Sequence, residues 1–333
     1  MYLTDIDPTR PSRARITLLL GVVGIALMIA GCAQHYLAAT LARPAIQPRV
    51  PFANTADSLF WRTLHSGQYD SIPQALLAMK AAYLQNPTDA RTAAHVAFLH
   101  AWRIAERSRL TRVSPAITDD IILARRYFDQ SAFYEPEYDA RIHGFGAVFR
   151  MVEADLHRNP ELWEEGLRQG RVAIEKWPEF NWFSIGYALS GKPESSSYFR
   201  EGLEMQWRTV DACGHTTVDR TNPTPEIALA ALRTETDPMR KRACTNTWIA
   251  PHNVQGFFLN MGDMVVKSGD WRSAQKVYFL AQAADGYGEW PYQAVLQERI
   301  RNAEQNVAEF RKDNSPIMFR SRFACVACHE GGN

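Results

Sequence analysis

From Pro51 to about Lys312 the apolar residues recur at helical spacing, among runs of Ala, Leu, Glu, Arg and Gln, with few alternating β-branched stretches. The clearest unit reads Phe258, Met261-Gly262, Val265, Gly269, Trp271, Ala274, Tyr278 and Ala281. Gly262 and Ala274 are small where two helices must approach, and Tyr278 is large enough to fill the space between them. Gly269-Asp270 ends the first helix and opens the second. The spacing of the second helix recurs upstream: Ala75, Met79 and Ala82 precede Pro87, Ala124, Phe128 and Ser131 precede Pro136, and Gly166, Gly170 and Ala173 precede Pro178. Each proline falls where a helix has ended, because it lacks the donor that the next turn needs. The pattern predicts an all-α fold.

Residues 53–312 resemble a tetratricopeptide-like array, a fold of stacked helix pairs with a period of about 34 residues. The closing prolines are spaced more widely than that, so the units are degenerate or padded. An irregular helical domain without repeat ancestry is the other reading of the same pattern. A repeat array implies a concave surface suited to another protein.

The N-terminus reads as an address. Arg10, Arg13 and Arg15 precede an uncharged apolar run from Ile16 to Ala30, short for a membrane span and right for a signal peptide. The run closes on Ile29-Ala30-Gly31-Cys32, which resembles the bacterial lipobox. That resemblance implies a signal peptide at 1–31, a lipid on Cys32, and a periplasmic, lipid-anchored protein. Ala33 after the cysteine points to the outer membrane. An uncleaved anchor with an incidental Cys32 is the alternative. Residues 32–52, with Pro44, Pro48 and Pro51, read as a tether.

Charge adds an exclusion. Lys and Arg total 37 against 36 Asp and Glu, a net charge of +1. No basic excess exists to follow a nucleic-acid backbone. The five cysteines are odd for an exported chain. Assigning Cys32 to lipid and Cys325 with Cys328 to one motif leaves Cys213 and Cys244, which an oxidising compartment would pair. The polar segment between them, with Pro223 and Pro225, reads as an insertion. Cys213 with His215 as metal ligands is a weaker alternative, since no second close pair accompanies them.

The chemistry sits at the C-terminus, in residues 313–333. Cys325-Val326-Ala327-Cys328-His329 has the spacing of c-type haem attachment. Two thiols on one helical turn can form thioethers to the haem, and the adjacent imidazole becomes the proximal iron ligand. The resemblance to c-type cytochromes implies one covalent haem c on Cys325 and Cys328, with His329 on the iron. Only Glu330 to Asn333 follow, unlike the small cytochromes with a downstream methionine. A C-terminal motif resembles the four-helix cytochromes c′, although the rest of the chain does not match them.

A sixth ligand must then come from upstream or from a partner, or be missing. Met318 is the first candidate and His252 the second. His95, His100, His143 and His157 read as ordinary helix residues. Arg320 and Arg322 could pair with haem propionates. The expected role is electron relay to or from a periplasmic or membrane redox protein, rather than turnover as an enzyme. The alternative is a binding scaffold or a gas or redox sensor with a sensory or structural haem. So short a terminal segment cannot shield a porphyrin. The expectation follows that the body docks it, through Trp271, Tyr278, Tyr287, Trp290 and Tyr292.

Overall fold

The computed structural model describes residues 44–134 and 139–331. The expected signal peptide, Cys32 and Pro136 lie outside the described residues. Fifteen α-helices and short 3-10 turns make up the described secondary structure, with no strand among the described residues. The all-α expectation therefore stands. No helix of the described residues is long and apolar enough to cross a membrane.

Five helix pairs build the body: α1 (Pro51–His65) with α2 (Ile72–Gln85), α3 (Ala90–Ala105) with α4 (Asp119–Tyr134), and α5 (Ala140–His157) with α6 (Pro160–Lys176). The series continues with α7 (Pro178–Ser190) on α8 (Ser197–Gly214). After α9 (Pro225–Thr234) and α10 (Pro238–Cys244), α11 (Asn253–Ser268) pairs with α12 (Trp271–Ala283). Then come α13 (Gln293–Arg301), α14 (Ala303–Arg311) and the short α15 (Val326–His329).

Local chemistry sets the boundaries. Pro51, Pro160 and Pro178 open helices from the first turn, where a missing N–H is harmless. Asp89 caps α3 through the amides of Arg91 and Thr92, and Asp270 caps α12 through that of Ser273. Gly269 ends α11 at φ 104°, a left-handed conformation that glycine adopts freely. The small residues of the repeated pattern lie at the helix contacts: Ala75, Ala124, Ala173 and Ala274 are fully buried. A Cβ at Gly262 would stand 2.2 Å from the Tyr278 ring, so only glycine permits this approach.

The first helices of the pairs stand in a row, α1 beside α3 and α5 beside α7. Aromatic rings join them: Phe98 of α3 to Phe145 of α5 at 5.1 Å, Phe145 to Phe180 of α7 at 5.8 Å, and Phe183 of α7 to Phe257 of α11 at 5.9 Å. All five rings remain partly exposed. This row is therefore an aromatic face rather than a closed core.

One boundary differs from the sequence reading, and the expected pairing of Cys213 with Cys244 is present. The range expected as a tether overlaps the body: Asn86 Nδ2 donates to the carbonyls of Gln47 and Pro48, and Arg49 pairs with Asp57 and Asp89. These contacts tie the chain to the body from Gln47, and helix begins at Pro51. The insertion is likewise anchored. A disulfide joins Cys213 to Cys244, with Cα atoms 5.5 Å apart, and α9 buries Leu229 against the core around α11 and α12. Closing a loop of this length stabilises the fold by roughly 3–4 kcal/mol on the chain-entropy account. The bond also removes Cys213 from any metal site with His215.

Candidate functional site

The terminal segment is built into the body. Beyond α14, Arg107 Nη2 donates to Ser315 Oγ at 3.0 Å, and Ser315 lies against Gly191 at the end of α7. Met318 and Arg320 take left-handed backbone, at φ 48° and 54°, which turns the chain sharply at a cost of about 1–2 kcal/mol per residue. Contacts that hold the chain around this turn must offset that cost. Ile317 is buried with the α3–α8 core and Phe319 with the α11–α12 core. Lys267, fully buried on α11, donates to the carbonyls of Ser190 at 3.0 Å and Asp313 at 3.1 Å. Its ammonium also lies 4.7 Å from the Phe319 ring centroid.

The segment then delivers α15 between α11 and α1. A Cβ at Gly256 would stand 2.5 Å from Cys328 Sγ and from the Ala327 carbonyl carbon, so the helices touch where α11 has no side chain. The amide of His252 donates to Cys328 O at 3.0 Å, Trp290 Nε1 to Ala327 O at 2.8 Å, and Gly331 N to His65 O at 2.9 Å. Tyr292 Oη donates to Glu330 Oε2 at 2.6 Å and its ring meets Phe323. Two of the five aromatics expected at the tail, Trp290 and Tyr292, thus hold it. Tyr287 backs Trp290 at 6.1 Å, while Tyr278 is buried on Asp263 and Trp271 packs at the edge of the same core.

Glu106, just past α3, fixes the start of α15. Its carboxylate is fully buried; Oε1 accepts the amides of Cys325 at 2.7 Å and Val326 at 2.9 Å. Oε2 accepts Trp102 Nε1 at 2.8 Å and Arg109 Nη1 at 3.0 Å. Burial raises this carboxyl above its ordinary value, and the four donors oppose the rise. They fill the acceptor sites of both oxygens and favour the ionised form.

The three motif residues have distinct settings. Cys325 and Cys328 are free thiols, and Cys328 Sγ lies 3.8 Å from Asn253 O. Burial, then the Glu106 charge, pushes Cys328 up to about 12 and Cys325 well above its ordinary value. Such thiols are poor thiolates, the opposite of an exchange-active pair. His329 Nδ1 lies 2.7 Å from Ile249 O. A carbonyl only accepts, so Nδ1 carries the hydrogen and the neutral ring keeps its lone pair on Nε2. Burial holds the imidazole down at about 4, so it is neutral at pH 7. His65 Nε2 shares the same carbonyl at 3.3 Å.

These residues suit a porphyrin better than a lone ion. Among the described residues no group of three or more His, Cys, Asp or Glu side chains is placed to hold a metal ion. Zinc needs its ligands convergent, whereas haem attachment separates thioethers at the ring edge from an imidazole at its centre. A histidine that donates Nδ1–H to a carbonyl and presents Nε2 is the arrangement of an oriented metal ligand. Phe98, Trp61 and Cys325 are all partly buried against the same core.

Other sequence candidates lie elsewhere. Met318 packs against the α3–α8 core, while the groups around His329 are Ile249, His65 and the charge of Arg141. His252 meets the segment through its backbone, and its buried Nδ1 has no hydrogen-bond partner. His95 pairs with Asp57 and His100 with Asp120. Arg320 stacks on Phe310 and, with Arg322, lines an open groove shared with Arg299. Glu106, Gly256, Ile249, His65 and Arg141 were not legible as site residues. Glu106 meets its partners across 219 and 220 positions, and no local pattern announces such a pairing.

No family model, curated protein or solved structure matches the chain.

Lys267 yields a pH test of the docking. Burial lowers its pKa to about 8 from the ordinary 10.5. Between these values the folded chain has released a proton that the unfolded chain still binds, so this group's contribution to stability rises with pH. The difference in unfolding free energy between wild type and Lys267→Met should therefore shift in favour of wild type from pH 8 to 10.5. A flat difference in denaturant titrations across that window contradicts the assignment.

Proposed function

We propose that this chain is an exported, lipid-anchored monohaem c-type cytochrome that relays electrons to or from a periplasmic or membrane redox protein. The observation that carries the reading is His329. Its neutral imidazole is oriented through Nδ1 by Ile249 and keeps Nε2 for a metal, one residue after the second of two free thiols. Cys325 and Cys328 would hold the haem covalently and His329 would ligate its iron. When bound, the group supplies one-electron chemistry. The chain's own residues orient the attachment turn, through Glu106 and Gly256, and set Phe98 and Trp61 against the same core as Cys325. Arg320 and Arg322 remain the candidates for the propionates, since the Arg141 guanidinium is paired with Asp139.

The helix pairs, with glycine or alanine at each close contact, support tetratricopeptide-like ancestry for residues 53–312. The terminal segment lies against α1 and α11, so a partner has the outer helices and the rim to bind. Trp248 stands on that rim at 66% exposure, its ring tilted against Trp61 at 4.9 Å, and it adjoins Ile249 in the chain. A second reading, a gas or redox sensor, is favoured by the packing of Met318 against the α3–α8 core. Carbon monoxide uptake by the reduced protein separates the two: a relay with six-coordinate iron resists it.

Denaturing electrophoresis with a haem-peroxidase stain tests the central assignment. The wild type should stain at the mature mass, Cys325→Ala with Cys328→Ala should lose the band, and His329→Ala should keep covalent haem with an altered spectrum. An unstained wild-type band contradicts the proposal. For the anchor, Cys32→Ser should block processing and leave residues 1–31 on the chain. Equal processing of wild type and variant contradicts lipidation.

A further inference from the structure

The terminal segment has two kinds of restraint. One is apolar packing at Gly256, Ile317 and Phe319, which tolerates sliding and rotation. The other is directional: hydrogen bonds at Ala327 O, Cys328 O and His329 Nδ1 hold the end of the turn, and at its start a single carboxylate, just past α3, accepts both amides that open α15. A peptide amide points in one direction, so two adjacent amides on one oxygen fix the rotation of the turn about its axis. That rotation determines where Cys325, Cys328 and His329 point. The carboxylate is itself immobilised, because Trp102 and Arg109 take its second oxygen and it has no exposed surface.

We infer that Glu106 is a positioning residue for the haem-attachment turn, setting its rotation on the body and, through that, the orientation of the His329 imidazole toward Ile249. The inference deepens the cytochrome reading and rests on it for its consequence at the iron. Its geometric part concerns this chain alone. Glu106 touches neither thiol nor imidazole; it acts through the backbone of Cys325 and Val326. Gln at this position keeps an oxygen for the two amides but offers Trp102 and Arg109 a donor in place of an acceptor. Ala removes both sets of bonds and leaves two buried amides without partners.

The test uses the full-length protein as purified. In the wild type, hydrogen exchange at the amides of Cys325 and Val326 should be slowed at least a hundredfold relative to an unstructured peptide. Glu106→Ala should retain the helical circular dichroism of the body, lose at least tenfold of that protection, and change the spectrum and reduction potential of the haem protein. Glu106→Gln should fall between the two in both readouts. Unchanged protection in a folded Glu106→Ala, or wild-type amides that exchange like free peptide, overturns the inference. Where the alanine variant does not fold, Glu106→Gln carries the test: protection and spectrum both at wild-type values in that variant overturn the inference. Protected amides in a protein that carries no haem would sink the cytochrome reading and leave the positioning role of Glu106 intact. An unmoved spectrum and potential beside lost protection would confine Glu106 to docking and overturn its role at the iron.

Discussion

A carboxylate with no exposed surface must be met by donors, and two of those that meet Glu106 belong to residues 219 and 220 positions away. Leaving such a buried acceptor short of a donor typically costs about 1–3 kcal/mol, more where it is charged. The tail and the body are therefore not separable parts. The body needs Cys325 and Val326 to satisfy the end of α3, and the tail needs the body to hold a turn of only four helical residues. A helix that short does not persist on its own. The remaining contacts, from Lys267 on Asp313 to Trp290 on Ala327, complete a docking whose direction Glu106 sets.

The sequence made local features legible and left long-range ones hidden. Helical spacing, the Gly269-Asp270 break and the small residues at Ala75, Ala124 and Ala173 are consequences of short-range packing, and the structure places each as read. The pairing of Cys213 with Cys244 followed from counting and is present. The close approach at Gly256 was not visible, because a glycine inside a helical pattern carries no mark of what it admits. The start of the body is hidden for a related reason. Its composition is that of a linker, yet Asn86 captures the carbonyls of Gln47 and Pro48. Proline content describes what a segment can do alone, and Asn86 lies 38 and 39 residues away.

The motif itself was plain to read, and the structure adds its setting. Burial leaves Cys325 and Cys328 as neutral thiols and His329 as a neutral imidazole. Neutral groups are the ones a low-dielectric site keeps at least cost. The partly exposed rings from Phe98 to Phe257 give the same region an apolar lining without closing it. In the proposed cytochrome these features assign separate duties: the motif attaches, Ile249 orients the ligand, and the row of first helices shields. Potential and axial field would then be properties of the body as much as of the peptide.

The most direct measurement compares the intact protein of the proposed cytochrome with the C-terminal peptide that would carry its haem, released by proteolysis upstream of Cys325. The account predicts a different reduction potential and different axial ligation in the two, because the peptide has lost Ile249, Glu106 and the aromatic row. A peptide that reproduces both properties of the intact protein would contradict it.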